Sequence, residues 1–187
     1  MNCRVIRLLL LLTVLLTPAR LLAVRSIVVS VPEQKLALLE DDVTIATYPV
    51  STSKFGLGDA NGSYRTPIGE MEIASRIGAD APVGTVFKHR MSTGEILRPN
   101  TPGRDPIVTR ILWLRGCERR NAGAYSRNIY IHGTPQENLI GRPASYGCIR
   151  MRSRDIVQLF NSVDTGTKIE VVNEPLSRAR RQYLASR

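Results

Sequence analysis

From residue 26 onward the apolar residues come in short runs, and turn-forming residues cut nearly every run before a helix could grow. Residues 26–31 (SIVVSV) are β-branched and apolar, Pro32-Glu33-Gln34 reads as a turn, and 35–40 (KLALLE) returns. Asp41-Asp42 turns again before 43–50 (VTIATYPV), where Val43, Ile45 and Thr47 alternate with Thr44, Ala46 and Tyr48. Strands joined by turns this tight make a β-meander.

The stretch from Ser51 to Pro67 holds Gly56, Gly58, an Asn-Gly and a Thr-Pro, and so reads as loop. Residues 70–77 (EMEIASRI) alternate like a half-buried strand. Shorter strands are predicted at 84–88 and 95–98, and stronger ones at 107–114 (IVTRILWL) and 128–132 (NIYIH). Only 155–163 (DIVQLFNSV) carries helical spacing, with Ile156, Val157, Leu159, Phe160 and Val163 on one stripe and Ser153 available as N-cap. A strand at 167–172 (TKIEVV) closes the pattern, and 173–187 forms a basic surface helix or tail. The fold expected is mostly β, a curved sheet or small sandwich, with one short helix after Cys148. A chain of 187 residues suits one domain of ordinary size, here 24–172.

Ahead of that domain, Arg4 and Arg7 precede the Leu-rich run from Leu8 to Leu16, and Pro18, Ala19 and Ala23 follow it. This reads as a secretory signal segment over 1–23, with an uncleaved anchor as second choice. The apolar run is shorter than the roughly 20 residues a membrane-spanning helix needs. Export to the periplasm or cell envelope is expected. The formal charge of +10 falls to +7 once Arg4, Arg7 and Arg20 are removed. Such a charge favours an anionic partner. Nucleic acid is not expected, because the signal segment argues against it and interleaved aromatics are missing. An anionic wall polymer would use the same field.

Only Cys117 and Cys148 remain beyond the signal segment, too few for a disulfide scaffold, although one bridge between them is conceivable. Two histidines and no Cys-x-x-Cys pair argue against a zinc site of the usual kind. His132 ends a strand and precedes Gly133, while Ser145, Tyr146, Gly147 and Cys148 form a turn ahead of the helix. A cysteine attacks as thiolate, and a neighbouring imidazolium both takes its proton and stabilises its charge. Gly147 would let backbone N–H groups face an oxyanion, and Arg150 would hold a carboxylate in two-pronged fashion. A single cysteine is also commonly a small buried hydrophobe, and a single histidine a hydrogen-bonded structural residue. The residues alone leave both readings open.

The segment IHGT, followed beyond a spacer by SYGCIRM, resembles the catalytic motif of the L,D-transpeptidase catalytic domain, the YkuD domain. Upstream, STSKFGLGDANGSYRTPIGEMEI is similar to the family's glycine-rich segment ending in Thr-Pro-x-Gly, and DIVQLF with GTKIEVV matches its usual close. The resemblance covers about residues 24–172. It implies a mostly β fold acting on peptidoglycan stem peptides without a cofactor. By position it makes Cys148 the acylated nucleophile, His132 the general base, and the Gly133 carbonyl the group that orients the other imidazole nitrogen. Ser145 would shape the turn, Arg150 would anchor substrate, and Tyr64 and Asn128 would line the cleft, with Tyr130 behind them. Tyr146 departs from the pattern, standing where the family carries a second histidine; it can hydrogen-bond or stack there but cannot carry positive charge. Cys117 reads as a semi-exposed structural cysteine and His89 as part of a solvated face. Arg142 either recognises an acidic stem or decorates its loop.

The reaction so implied is acyl transfer with loss of a terminal D-alanine. The acceptor would be the amine of a second stem or of a wall-attached protein. Interception by water at the same site would make an L,D-carboxypeptidase. A non-catalytic wall-binding module is the competing class, and it has no use for a thiol.

Overall fold

The computed structural model describes residues 23–179; the expected signal segment up to residue 22 and the end of the basic tail, 180–187, lie outside them. The meander is present as β1 (Arg25–Ser30), β2 (Lys35–Glu40) and β3 (Val43–Pro49). Then come β4 (Gly69–Ile77), β5 (Thr85–Lys88), β6 (Met91–Ile96) and β7 (Ile107–Gly116). The chain closes with β8 (Tyr130–Gly133), β9 (Ile149–Met151), helix α1 (Ser153–Ser162) and β10 (Lys168–Val172).

These strands do not form a sandwich or a sheet curled on itself, and that expectation is corrected. All ten belong to one open mixed sheet in the order β3-β2-β1-β10-β4-β7-β5-β6, with β8 pairing β7 and β9 pairing β8. The cause is long-range. The last strand, β10, inserts between the meander and β4, parallel to β1 and antiparallel to β4, and joins what sequence order alone would leave as separate sheets. Neighbouring runs advertise hairpins, but nothing local announces a parallel partner.

The β8–β9 pair is the second such case. Residues 149–151, which the sequence pattern assigns to no element, form a strand because Ile131, His132 and Gly133 pair in parallel with Ile149, Arg150 and Met151. Strand β7 supports this branch. It is long enough to pair with β4, β5 and β8, and its register slips between Val108 and Ile111, where buried Thr109 takes a φ of +73°. A bulge at that point re-aims the strand.

One face of the sheet carries the main core. Ile27, Val29, Leu36, Leu38, Met71, Ile73, Leu112, Leu114, Ile131 and Ile149 pack there with Ile156, Leu159 and Phe160 of α1. The apolar stripe read from 155–163 is the stripe that docks, but the helix begins at Ser153 with Arg152 in the capping position. Ser153 does not cap; its hydroxyl meets Thr109 Oγ1 at 2.8 Å, and its N–H donates to Glu137 Oε1 at 2.8 Å. On the other face of β1 and β2, Val28, Ala37 and Leu39 are covered by Leu176 and Ala179, from the helical start of the basic segment.

Candidate active site

Parallel pairing of β8 with β9 sets His132 opposite Arg150 and, one step before the Ile131–Ile149 pair, Tyr130 opposite Cys148. Side chains in register share a face, so His132 and Cys148 become diagonal neighbours on one face of adjacent strands. The imidazole is 5% exposed, and its Nδ1 lies 2.8 Å from the carbonyl oxygen of Gly133. An oxygen there requires Nδ1 to carry the proton, which leaves the Nε2 lone pair as the basic one. Gly133 cannot be larger, since a Cβ would stand 2.6 Å from the Val108 carbonyl oxygen.

The Cys148 turn is fastened from two directions. Ser145 Oγ donates to the Cys148 carbonyl at 2.6 Å and receives the Gly147 N–H at 3.2 Å. Thr66, from the Thr-Pro-x-Gly segment, donates to the Gly147 carbonyl at 2.9 Å. Both backbone groups of Gly147 are thus engaged in the turn, at a φ of +121° that favours glycine. The thiol itself donates to the carbonyl of Asn128 at 3.4 Å.

Burial favours the neutral form of both groups, against the thiolate–imidazolium pair that the residue types suggest. Cys148 keeps part of its residue surface, but its sulfur is packed by protein, and burial pushes the thiol up to about 11. The Tyr130 N–H and the charges of Arg127 and Arg150 oppose that rise without overcoming it. Burial likewise drives His132 down to about 4, against the Gly133 hydrogen bond and the charge of Asp105. Desolvation penalises whichever form is charged, and here it outweighs the local fields.

Arg150 is buried, at 2% exposure. Its guanidinium pairs with Asp105, donates to Ser51 Oγ at 3.0 Å and approaches Gln136 Oε1 at 3.5 Å. A substrate carboxylate would have to displace Asp105 to reach it. Asp105 also receives the Thr134 hydroxyl, which ties the residue after Gly133 to the same anchor. Nothing in the sequence pointed to Asp105, which sits in an aperiodic Gly-Arg-Asp-Pro loop.

Tyr64, Asn128 and Tyr146 do come together, on a cleft of about 270 Å3 that Asn61 and Ser126 also line. Its rim is aromatic: Tyr146 lies 5.6 Å from Phe55 and 5.9 Å from Tyr64, and Lys54 Nζ sits 3.0 Å from the Tyr146 hydroxyl. Arg127 closes the floor, held by Asp59 at 2.7 Å and by the Arg65 carbonyl at 2.8 Å. Cys117 is exposed and free, beside Lys168 at 3.6 Å; no disulfide joins it to Cys148. His89 and Arg142 are exposed, and Arg142 donates to the Asn138 carbonyl at 3.3 Å.

The mixed sheet thus sets a histidine with a committed Nδ1 on one strand and a cysteine immediately before the parallel neighbour of that strand, beside an open cleft. Residues 24–171 match the family described as YkuD, the L,D-transpeptidase catalytic domain, and the chain belongs to it. It is 30% identical over 145 residues to the putative L,D-transpeptidase YkuD of Bacillus licheniformis, covering 78% of this chain and 64% of that protein. With the probable L,D-transpeptidase YcfS of Escherichia coli (strain K12) it shares 43% over 53 residues, 28% of this chain and 17% of the relative. Both figures put the chain below two thirds of these relatives' length. The fold is similar to that of the L,D-transpeptidase LdtMt1 in complex with imipenem, with a TM-score of 0.52 at 20% identity over 80% of this chain and 59% of that one.

Proposed function

We propose that this chain is a cysteine-dependent L,D-transpeptidase acting on the tetrapeptide stems of peptidoglycan. The observation that carries the reading is the placement of His132 on β8 diagonal to Cys148, which immediately precedes β9, with Nδ1 of the imidazole committed to Gly133. In the first half-reaction Cys148 Sγ attacks the carbonyl carbon of the meso-diaminopimelate residue while its proton passes to His132 Nε2. Backbone N–H groups of the turn other than that of Gly147, which Ser145 holds, stabilise the oxyanion. The tetrahedral species collapses, the C–N bond breaks, and His132 returns the proton to the departing amine of D-alanine. In the second half-reaction an acceptor amine attacks the thioester and frees the thiol.

A neutral resting pair suits this sequence. Charge separates only as the thiol attacks, so the substrate carbonyl is part of the event that ionises the nucleophile. Export belongs to the same reading, since the substrate lies outside the cytoplasm. It is supported by Arg4, Arg7 and the Leu-rich run, and N-terminal sequencing of the envelope-associated protein should begin at Arg20 or Val24.

The test is intact-mass analysis after incubation with a disaccharide-tetrapeptide. An acyl adduct at Cys148 with release of D-alanine is expected, and it should vanish in Cys148→Ala. Crosslinked dimer among the products identifies transfer, whereas tripeptide alone identifies hydrolysis. No adduct and no product from a folded, alkylatable protein would sink the enzyme reading and leave a wall-binding module.

A further inference from the structure

The β5–β6 hairpin turns through His89 and Arg90 alone, and both have positive φ, 51° and 67°. Two-residue turns of this kind normally use Asn-Gly, because side chains other than Asn, Asp or His resist the left-handed region. Arg90 holds that conformation while making contacts that lead to the nucleophile. Its guanidinium lies over the Trp113 ring at 4.3 Å, and Nη1 donates to Asn128 Oδ1 at 3.1 Å and to the Tyr130 hydroxyl at 3.2 Å. Tyr130 closes the triangle, donating to Asn128 Oδ1 at 2.9 Å. Asn128 is itself left-handed, with a φ of +56°, and its carbonyl receives the Cys148 thiol.

We propose that Arg90 is a positioning residue for Cys148, clasping Asn128 in the left-handed conformation that turns its carbonyl onto the thiol. Tyr130 needs no such help, being paired with Trp113 inside the sheet. Asn128 lies outside any strand, so its backbone direction is set by the side-chain triangle together with its own N–H bond to the Tyr125 carbonyl at 3.1 Å and, at the far end of the same peptide as its carbonyl, the Ile129 N–H bond to the Ala124 carbonyl at 3.0 Å. The inference rests on Cys148 being the acylated nucleophile.

The charged groups that act on the thiol are Arg150 on β9, Arg127 from the loop before β8 and Asp105 from the loop before β7; Tyr130 on β8 is beside it, and His132 lies one diagonal step along β8. Arg90 acts through Asn128. A carbonyl that accepts from the thiol favours the protonated form, so opening the clasp should make ionisation easier while spoiling the aim of the sulfur. Those opposed effects separate positioning from general damage.

The experiment compares wild type, Arg90→Ala and Arg90→Lys in the full chain. Two readouts are followed: steady-state turnover of the disaccharide-tetrapeptide, and the pH profile of Cys148 alkylation by iodoacetamide without substrate, read by peptide mapping with Cys117 as internal control. In Arg90→Ala, kcat should fall about tenfold with KM moving less than about twofold. The Cys148 profile should shift to lower pH by about half a unit or more, while that of Cys117 stays in place. Arg90→Lys, which keeps the charge but not the forked geometry, should move both readouts in the same directions by less. Wild-type values for both, or a shift to higher pH, overturn the proposal. If the alanine variant is unfolded by circular dichroism, the lysine variant decides, and a wild-type profile there is equally fatal. Should wild type turn over no tetrapeptide, the functional reading fails by itself and the alkylation profiles alone decide the clasp.

Discussion

Acidification should destabilise this fold through one buried imidazole. His132 is held down to about 4 in the folded chain by burial, whereas an unfolded chain returns it to about 6.5. The sign follows from proton counting. Above the unfolded value neither state binds the proton, and the contribution to stability is fully present. As pH falls below about 6.5 the unfolded state takes up a proton that the folded state refuses, so stability drops until the folded value is reached, and then levels off. A depression of that size corresponds to roughly 3 kcal/mol. Urea unfolding at several pH values between about 7.5 and about 4.5 measures it, with His132→Gln as reference because glutamine hydrogen-bonds without titrating there. Carboxylates titrate in both proteins and cancel in the difference. The wild type should lose roughly 2–3 kcal/mol more than the variant across the window. Parallel curves would refute the reasoning, as would an imidazole NMR midpoint near the unfolded value. The same depression predicts that turnover keeps a basic Nε2, and hence activity, well below neutral pH.

Two further substitutions probe the surroundings of the pair. Gly133→Ala should destabilise by more than about 2 kcal/mol in urea unfolding, because its Cβ would stand 2.6 Å from the Val108 carbonyl oxygen and backbone would have to shift; a change under half that size would mean that β7 yields. Tyr146→His should leave thermal unfolding nearly unchanged, since Tyr146 is 60% exposed, while the Lys54 bond is lost. A large drop in Tm would mean that the Phe55–Tyr64–Tyr146 cluster supports the turn and is not merely a rim.

What was legible in the sequence follows from which interactions are local. Alternation at Met71 and Ile73 and the stripe at Ile156, Leu159 and Phe160 report burial directly, and these side chains are buried in the main core. Val43 and Ile45 alternate just as well, yet both are exposed, because β3 is an edge strand and alternation says nothing about what lies beyond an edge. The joining of the strands into one sheet depends on β10, whose parallel partner β1 lies at the other end of the domain, and short-range pattern cannot carry that information. At the proposed site, His132 and Cys148 draw attention by residue type and motif. The desolvation acting on them does not, because it comes from packing around the sulfur and the ring. Asp105, Arg127 and Arg90 escaped notice for a related reason: charged residues in loops look solvated until the fold supplies Arg150, Asp59 and Asn128 as their partners.

The Asp105–Arg150 pair explains why local charge does so little to the resting dyad. Asp105 favours the imidazolium and opposes the thiolate, whereas Arg150 does the reverse on both counts. Bound to each other, they apply nearly cancelling fields, and burial is left to set both groups. Breaking the pair should therefore move histidine and cysteine together, in one direction when Asp105 is neutralised and in the other when Arg150 is. Asp105→Asn leaves the Arg150 charge uncompensated, so the alkylation profile of Cys148 should shift to lower pH and the NMR midpoint of His132 should fall further. Arg150→Gln leaves the Asp105 charge, and both should rise. Each variant also strands a buried or half-buried charge, at a cost of about 3 kcal/mol or somewhat less, because the Asp105 side chain keeps 24% of its surface. That loss has one sign in both variants, while the titration shifts have two. Shifts of the same sign in both would show that the pair acts on the dyad through packing, and the cancelling-field account would be wrong.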